Sequence, residues 1–117
     1  MFLALLQVAI GGALGSCLRY LTVFAVGAPL ATAIVNVLGS LVMGILSVVL
    51  ARTPHLSPLF MTGVLGGFTT FSAFSLDSLR LWQAGAPGWA AVYVVGSVGL
   101  SLIAVALGAA FAQRFLI

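Results

Sequence analysis

The chain has 117 residues, of which 63% are hydrophobic and only 4% are charged, whereas about a quarter of the residues in an ordinary soluble domain are charged. This composition excludes a soluble globular protein and indicates one small domain of membrane-spanning helices, 1–117. The net charge of +3 comes from four arginines and one aspartate, which is too few charges to indicate a nucleic-acid partner.

Four apolar segments follow one another, at about residues 2–26, 30–51, 58–82 and 89–111. Each reaches the roughly 20 residues that a helix needs to cross the hydrocarbon of a bilayer. The first lacks the basic start of a signal peptide and is interpreted as a membrane helix. Because the connections are only a few residues long, neighbouring helices should be antiparallel. The predicted fold is therefore all-α, with four transmembrane helices.

The arginines are divided evenly between the two ends of this bundle. Arg52 and Arg114 lie at one end, and Arg80 lies at the other, with Arg19 a few residues short of it. With such an even division, the positive-inside rule predicts no single orientation in the membrane, and the division fits a protein that inserts in both orientations. It also fits chance in a chain with four cations.

Small residues spaced four apart predict close helix contacts and an oligomer. The pairs are Gly11 with Gly15, Ser40 with Gly44, and Ser97 with Ser101.

The third segment contains the unusual stretch GGFTTFSAFS at residues 66–75. Glycine weakens a helix interior, and Ser and Thr compete for backbone hydrogen bonds. The stretch predicts a third helix broken at its centre, where freed backbone groups build an ion site. A glycine-rich contact between two continuous helices is the alternative.

Several polar side chains fall at membrane depth, where each has both a structural and a functional interpretation. Arg19 is either an interfacial arginine whose charge reaches the headgroups or a permanent charge that concentrates anions. Asn36 either bridges two helices or offers its amide N–H to an ion. In the fourth helix Tyr93, Ser97 and Ser101 recur every four residues, which places three hydroxyls in one stripe.

Phe71 and Phe74 share a helix face beside Thr70, either as a packing pair or as ring edges that contact an anion. All of these groups are donors or electropositive edges, and the only carboxylate is Asp77. No titratable group lies at the membrane midplane to couple transport to protons. The pattern therefore favours uncoupled passage of a small anion over a cation path or a proton-coupled carrier, without fixing which anion, and no enzymatic activity is predicted.

Residues 66–75, GSCLRY at 15–20 and NVLG at 36–39 together resemble the Fluc family of fluoride channels, and the resemblance extends over all four segments. It implies an antiparallel, dual-topology homodimer with two fluoride pores that lowers the toxicity of cellular fluoride. It also implies a structural sodium ion at the dimer centre, held by the backbone carbonyls of Gly66 and Thr69.

By position in the motifs, the resemblance also assigns residues to the fluoride path. They are Asn36, Phe71, Phe74, Tyr93, Ser97 and Ser101, with Arg19 matching the arginine of the family's first helix; we include Thr70 beside the phenylalanines. Two positions depart from the family pattern. Ala73 stands where members commonly have Thr, and Asp77 stands where they often have Glu.

Two other kinds of protein remain as alternatives. A small multidrug-type proton-coupled antiporter has a similar length and helix number but needs a glutamate in its first helix, and residues 2–26 contain no acidic residue. A membrane assembly factor that transports nothing would need neither the broken helix nor the hydroxyl stripe.

Overall fold

The computed structural model describes residues 1–117 and contains only helices and short connections. Four helical spans are long and apolar enough to cross a membrane, which confirms the predicted all-α fold with four membrane-capable helices. A 25-residue helix such as the first is about 37 Å long, more than the roughly 30 Å of hydrocarbon in a bilayer. The chain is therefore built as a multi-pass membrane protein.

The spans begin and end close to proline and glycine residues. The first helix is Phe2–Val26, the second is Leu30–Val49 with a final tight turn at Leu50–Arg52, the third span is Pro54–Gln83, and the fourth helix is Pro87–Phe115. The fourth helix begins earlier than residue 89 because proline is well suited to the first helical position. It also runs beyond residue 111, through Gln113 and Arg114.

Most side chains in the bundle point outwards, since only 17 of 117 residues are buried. Phe24, near the end of the first helix, is 80% exposed, and Val95, in the first third of the fourth helix, is 71% exposed. Such exposure would be unfavourable in water, but lipid tails are as apolar as these side chains. The exposed apolar surface therefore fits a hydrocarbon environment.

Two helix pairs make up most of the packing, and small residues let their backbones approach. The first helix lies along residues 58–68, and its buried Gly11 and Gly15 face the backbone of that segment. The second helix lies along the fourth, with Gly44 against the backbone at Val105 and Gly108 against Leu41. A methyl group at any of these four glycines would overlap the neighbouring backbone.

The third span changes conformation near its centre. Pro58–Leu65 forms a wide π-helical segment and Gly66–Phe68 an α-helical turn, after which Thr69 and Thr70 are extended. Helical structure resumes as Phe71–Gln83. The two glycines themselves stay helical, and Gly67 allows close approach, because a Cβ there would lie 2.6 Å from the carbonyl oxygen of Gly12.

We expect Gly15→Ala to destabilise the fold, because its methyl group would push the first helix off residues 64–68. Overpacking of this kind costs about 1–3 kcal/mol. Gly12→Ala is the matched control: it lies in the same helix, and nothing lies within 4 Å of its added methyl. Thermal unfolding in detergent, followed by size exclusion, should show a lower midpoint for Gly15→Ala only. Equal midpoints for both variants would contradict this account of the helix contact.

Candidate functional site

The extended peptide at Thr70 is held by the side chain of Asn36 in the second helix. The Thr70 N–H donates to Asn36 Oδ1 at 2.8 Å, and Asn36 Nδ2 donates to the Thr70 carbonyl at 2.9 Å. In an uninterrupted helix the Thr70 N–H would donate to the Gly66 carbonyl, four residues earlier. The amide of Asn36 therefore replaces a helical hydrogen bond and leaves the Gly66 carbonyl without that donor.

Two further groups freed by the interruption also have new partners. Arg19 Nε of the first helix donates to the Gly67 carbonyl at 3.1 Å. The Ala73 N–H donates to Thr70 Oγ1 at 3.1 Å, so Thr70 caps the helix that follows. In a continuous helix the Ala73 N–H would have donated to the carbonyl of Thr69 instead. Arg19 and Asn36, predicted as functional polar groups, thus both contact the backbone beside the interruption.

Next to the interruption lies a groove of about 390 Å³ between the second helix, the third span and the fourth helix. It brings together six of the eight residues predicted for the fluoride path, and the predicted sodium ligand Thr69. The groove is lined by Asn36, Gly39, Ser40, Met43, Thr69, Thr70, Phe71, Phe74, Ser97, Val98, Ser101, Leu102 and Val105.

The hydroxyl groups of Ser97 and Ser101 differ from those of three other serines in the helices. Ser47, Ser75 and Ser78 each donate to a carbonyl three or four residues earlier in their own helix. Ser97 and Ser101 make no hydrogen bond within the chain, although both line the groove and Ser97 is only 7% exposed. Their hydroxyls are therefore available to a ligand in the groove.

Aromatic rings form one wall of the groove. The ring centroids of Phe71 and Phe74 are 5.5 Å apart, and the planes are inclined at 49°. Phe74 is buried, whereas Phe71 is 77% exposed. The two rings therefore differ in surroundings, although the sequence placed them on one helix face.

Tyr93 and Arg19 do not line the groove. The ring of Tyr93 lies behind Phe74, with 5.3 Å between the centroids, and its hydroxyl donates to Asp77 Oδ2 at 3.1 Å. Arg19 lines a second cavity of about 310 Å³, together with Asp77, Tyr20, Thr32 and Arg80 among others. Of the predicted path residues, six therefore line the groove, Arg19 lines this second cavity, and Tyr93 lines neither.

One polar groove residue, Ser40, was predicted only as a close-packing residue. It lies four positions after Asn36, so the two side chains share a face of the second helix. Ser40 likewise makes no hydrogen bond within the chain while lining the groove. The four-residue spacing between Asn36 and Ser40 was the feature of the sequence that could have identified Ser40 as a groove residue.

Comparison with known proteins agrees with the geometry. Residues 6–109 match the family model described as "CrcB-like protein, Camphor Resistance (CrcB)". The chain is 54% identical to a protein of Cereibacter sphaeroides over 94% of each chain, and 53% identical to one of Paracoccus denitrificans over 88% of this chain and 89% of the relative. It is 50% identical to one of Ruegeria sp. over 92% of this chain and 93% of the relative. All three relatives carry the name "Fluoride-specific ion channel FluC". The chain therefore belongs to the CrcB-like protein family.

Proposed function

We propose that this protein is a fluoride-selective ion channel of the cytoplasmic membrane that lets fluoride leave the cell passively and so reduces its toxicity. The observation that carries the proposal is the groove whose serine hydroxyls, at Ser40, Ser97 and Ser101, have no partner in the chain. The names of the relatives supply the identity of the ion, because the donors themselves specify only a small anion.

The groove offers donors without a competing carboxylate. Asn36 uses one N–H of its amide on Thr70 and has a second that is available. The serine hydroxyls continue this set of donors along the fourth helix. The edges of Phe71 and Phe74 carry partial positive charge and can contact an anion while excluding water. A strongly hydrated anion can cross only where such groups replace its lost water.

A proton-coupled antiporter is not favoured. The first helix contains no acidic residue, and the single carboxylate of the chain, Asp77, lies in the third span behind Phe74 rather than in the groove. An ion channel is not an enzyme, and no catalytic activity is part of this proposal.

The working unit in this proposal is an antiparallel homodimer with two pores and a third helix broken at its centre in each subunit. Polar groove residues and extended backbone cannot face lipid, where unsatisfied polar groups are costly. A second copy can cover them. The even division of Arg52 and Arg114 at one end, with Arg19 and Arg80 towards the other, supports insertion in both orientations.

A structural sodium ion between the two subunits completes the proposal. The Gly66 carbonyl has lost its helical donor to Asn36, and the Thr69 carbonyl has lost the Ala73 N–H to Thr70 Oγ1. Two such carbonyls from each subunit would offer a hard cation four uncharged oxygen ligands. When bound, the ion would hold the subunits together by neutralising these carbonyl dipoles.

The direct test of this function is ion flux in liposomes that contain the purified protein. We expect fluoride efflux down its gradient without a proton gradient, and little chloride efflux, because the donors compensate best for the hydration of the smaller anion. Transport of a cationic dye driven by a proton gradient would contradict the channel and favour the antiporter. No flux of any ion would favour an assembly factor.

We expect Asn36→Asp to lower fluoride flux by at least about tenfold, which corresponds to 1.4 kcal/mol in the barrier. The variant keeps an acceptor for the Thr70 N–H, loses the donor to the Thr70 carbonyl and places a negative charge on the groove.

Gln7→Glu is the matched control for this change, because Gln7 Nε2 also donates to a backbone carbonyl, that of His55, away from the groove. It should retain native flux. Equal flux in both variants, each eluting as a dimer in size exclusion, would remove Asn36 from the path.

Sodium should raise the unfolding temperature of the detergent-solubilised dimer relative to potassium or N-methylglucamine. At a hundred times its Kd, an ion bound only to the folded dimer contributes about 2.7 kcal/mol. Gly66→Ala should keep this dependence, since the ligand is a backbone carbonyl and the new methyl would lie 3.7 Å from its nearest neighbour, the Met61 carbonyl. The same midpoint in all three cations would argue against the sodium site.

A further inference from the structure

The buried carboxylate of Asp77 has no role in the groove and needs an explanation. It is the only acidic residue of the chain, it is 7% exposed, and it lies within a membrane span. Ionisable side chains at such depth are costly and usually functional. A negative charge near an anion path would also repel the ion.

The carboxylate receives one hydrogen bond from another side chain, and that bond comes from Tyr93. The Tyr93 hydroxyl donates to Asp77 Oδ2 at 3.1 Å, and the Tyr93 ring lies 5.3 Å from the ring of Phe74 on the groove wall. A phenol has a single proton to donate. While Tyr93 donates to Asp77, it cannot also donate to fluoride.

We propose that Tyr93 is a positioning residue whose hydroxyl binds Asp77, screening this carboxylate from the passing fluoride, instead of donating to the ion. The proposal rests on the proposed function and changes the role that the hydroxyl stripe assigned to Tyr93. Ser97 and Ser101, whose hydroxyls have no partner in the chain, keep the donor role. Asp77 and Tyr93 form a hydrogen-bonded pair directly behind Phe74.

A double-mutant cycle on fluoride efflux from liposomes tests the pair. Tyr93→Phe keeps the ring beside Phe74 but leaves the carboxylate without its donor, so flux should fall by about tenfold or more. Asp77→Asn removes the charge and keeps an oxygen that can accept from Tyr93. In the Asp77→Asn background, Tyr93→Phe should therefore change flux by less than about twofold, because the two residues are coupled.

Tyr20→Phe is the matched control, since Tyr20 is the other tyrosine, lines the same cavity as Asp77 and makes no hydrogen bond. It should leave flux unchanged. Size exclusion must show a dimer for each variant that enters the cycle. Asp77→Ser replaces Asp77→Asn if the latter does not assemble, and failure of both would make the carboxylate a structural requirement and overturn the proposal.

Three other results would also overturn it. An equal loss on Tyr93→Phe in both backgrounds would mean that Tyr93 donates to fluoride or only packs. No loss in the native background would mean that Asp77 needs no screening. Flux in Asp77→Asn as low as in Tyr93→Phe would mean that the carboxylate itself is required. A native protein that carries no fluoride would overturn the proposed function as well, whereas the three results above leave that function intact.

Discussion

The pair of hydrogen bonds between the Asn36 amide and the Thr70 peptide is the interaction on which the rest of the structure depends. No water is present in the hydrocarbon to satisfy a freed backbone group, and each unsatisfied group costs several kcal/mol. Asn36 supplies one acceptor and one donor at 2.8 and 2.9 Å, which is what a single peptide group needs. The third span can leave the helical conformation at this point because a neighbouring helix satisfies the peptide.

This interaction also determines which groups remain available. Once Thr70 is bonded to Asn36, the Gly66 carbonyl loses its helical donor, and the Gly67 carbonyl accepts instead from Arg19. The extended residues turn Phe71 and Phe74 towards a groove that the second and fourth helices complete. The Asn36 side chain thus satisfies the Thr70 peptide, and its second amide N–H remains available to a ligand in the groove. The structural and functional interpretations of Asn36 are compatible.

The sequence was sufficient to predict the four membrane spans, because the length of an apolar segment and the proline and glycine residues that end it are local properties of the chain. Four-residue spacing also placed Ser97 and Ser101 on one helix face, and both line the groove, whereas Tyr93 at the same spacing does not. The sequence could not give the point of interruption: the weak helix formers Gly66 and Gly67 stay helical because the first helix packs closely against Gly67, and the extended residues are Thr69 and Thr70. The partners of Arg19 and Tyr93 depend on contacts between distant segments, which periodicity does not report.

A path lined by donors works only where those donors have no better acceptor in the protein itself. Most hydroxyl groups in membrane helices avoid this conflict by bonding to their own backbone, as Ser75 and Ser78 do. Ser97 and Ser101 leave their hydroxyls unpaired beside the groove, which is a cost in the empty protein that a bound anion can remove. The single carboxylate would be the strongest competing acceptor, but it lies behind Phe74 and accepts a hydrogen bond from the Tyr93 hydroxyl. The separation of Asp77 from the groove therefore keeps the serine and amide donors available to the ion.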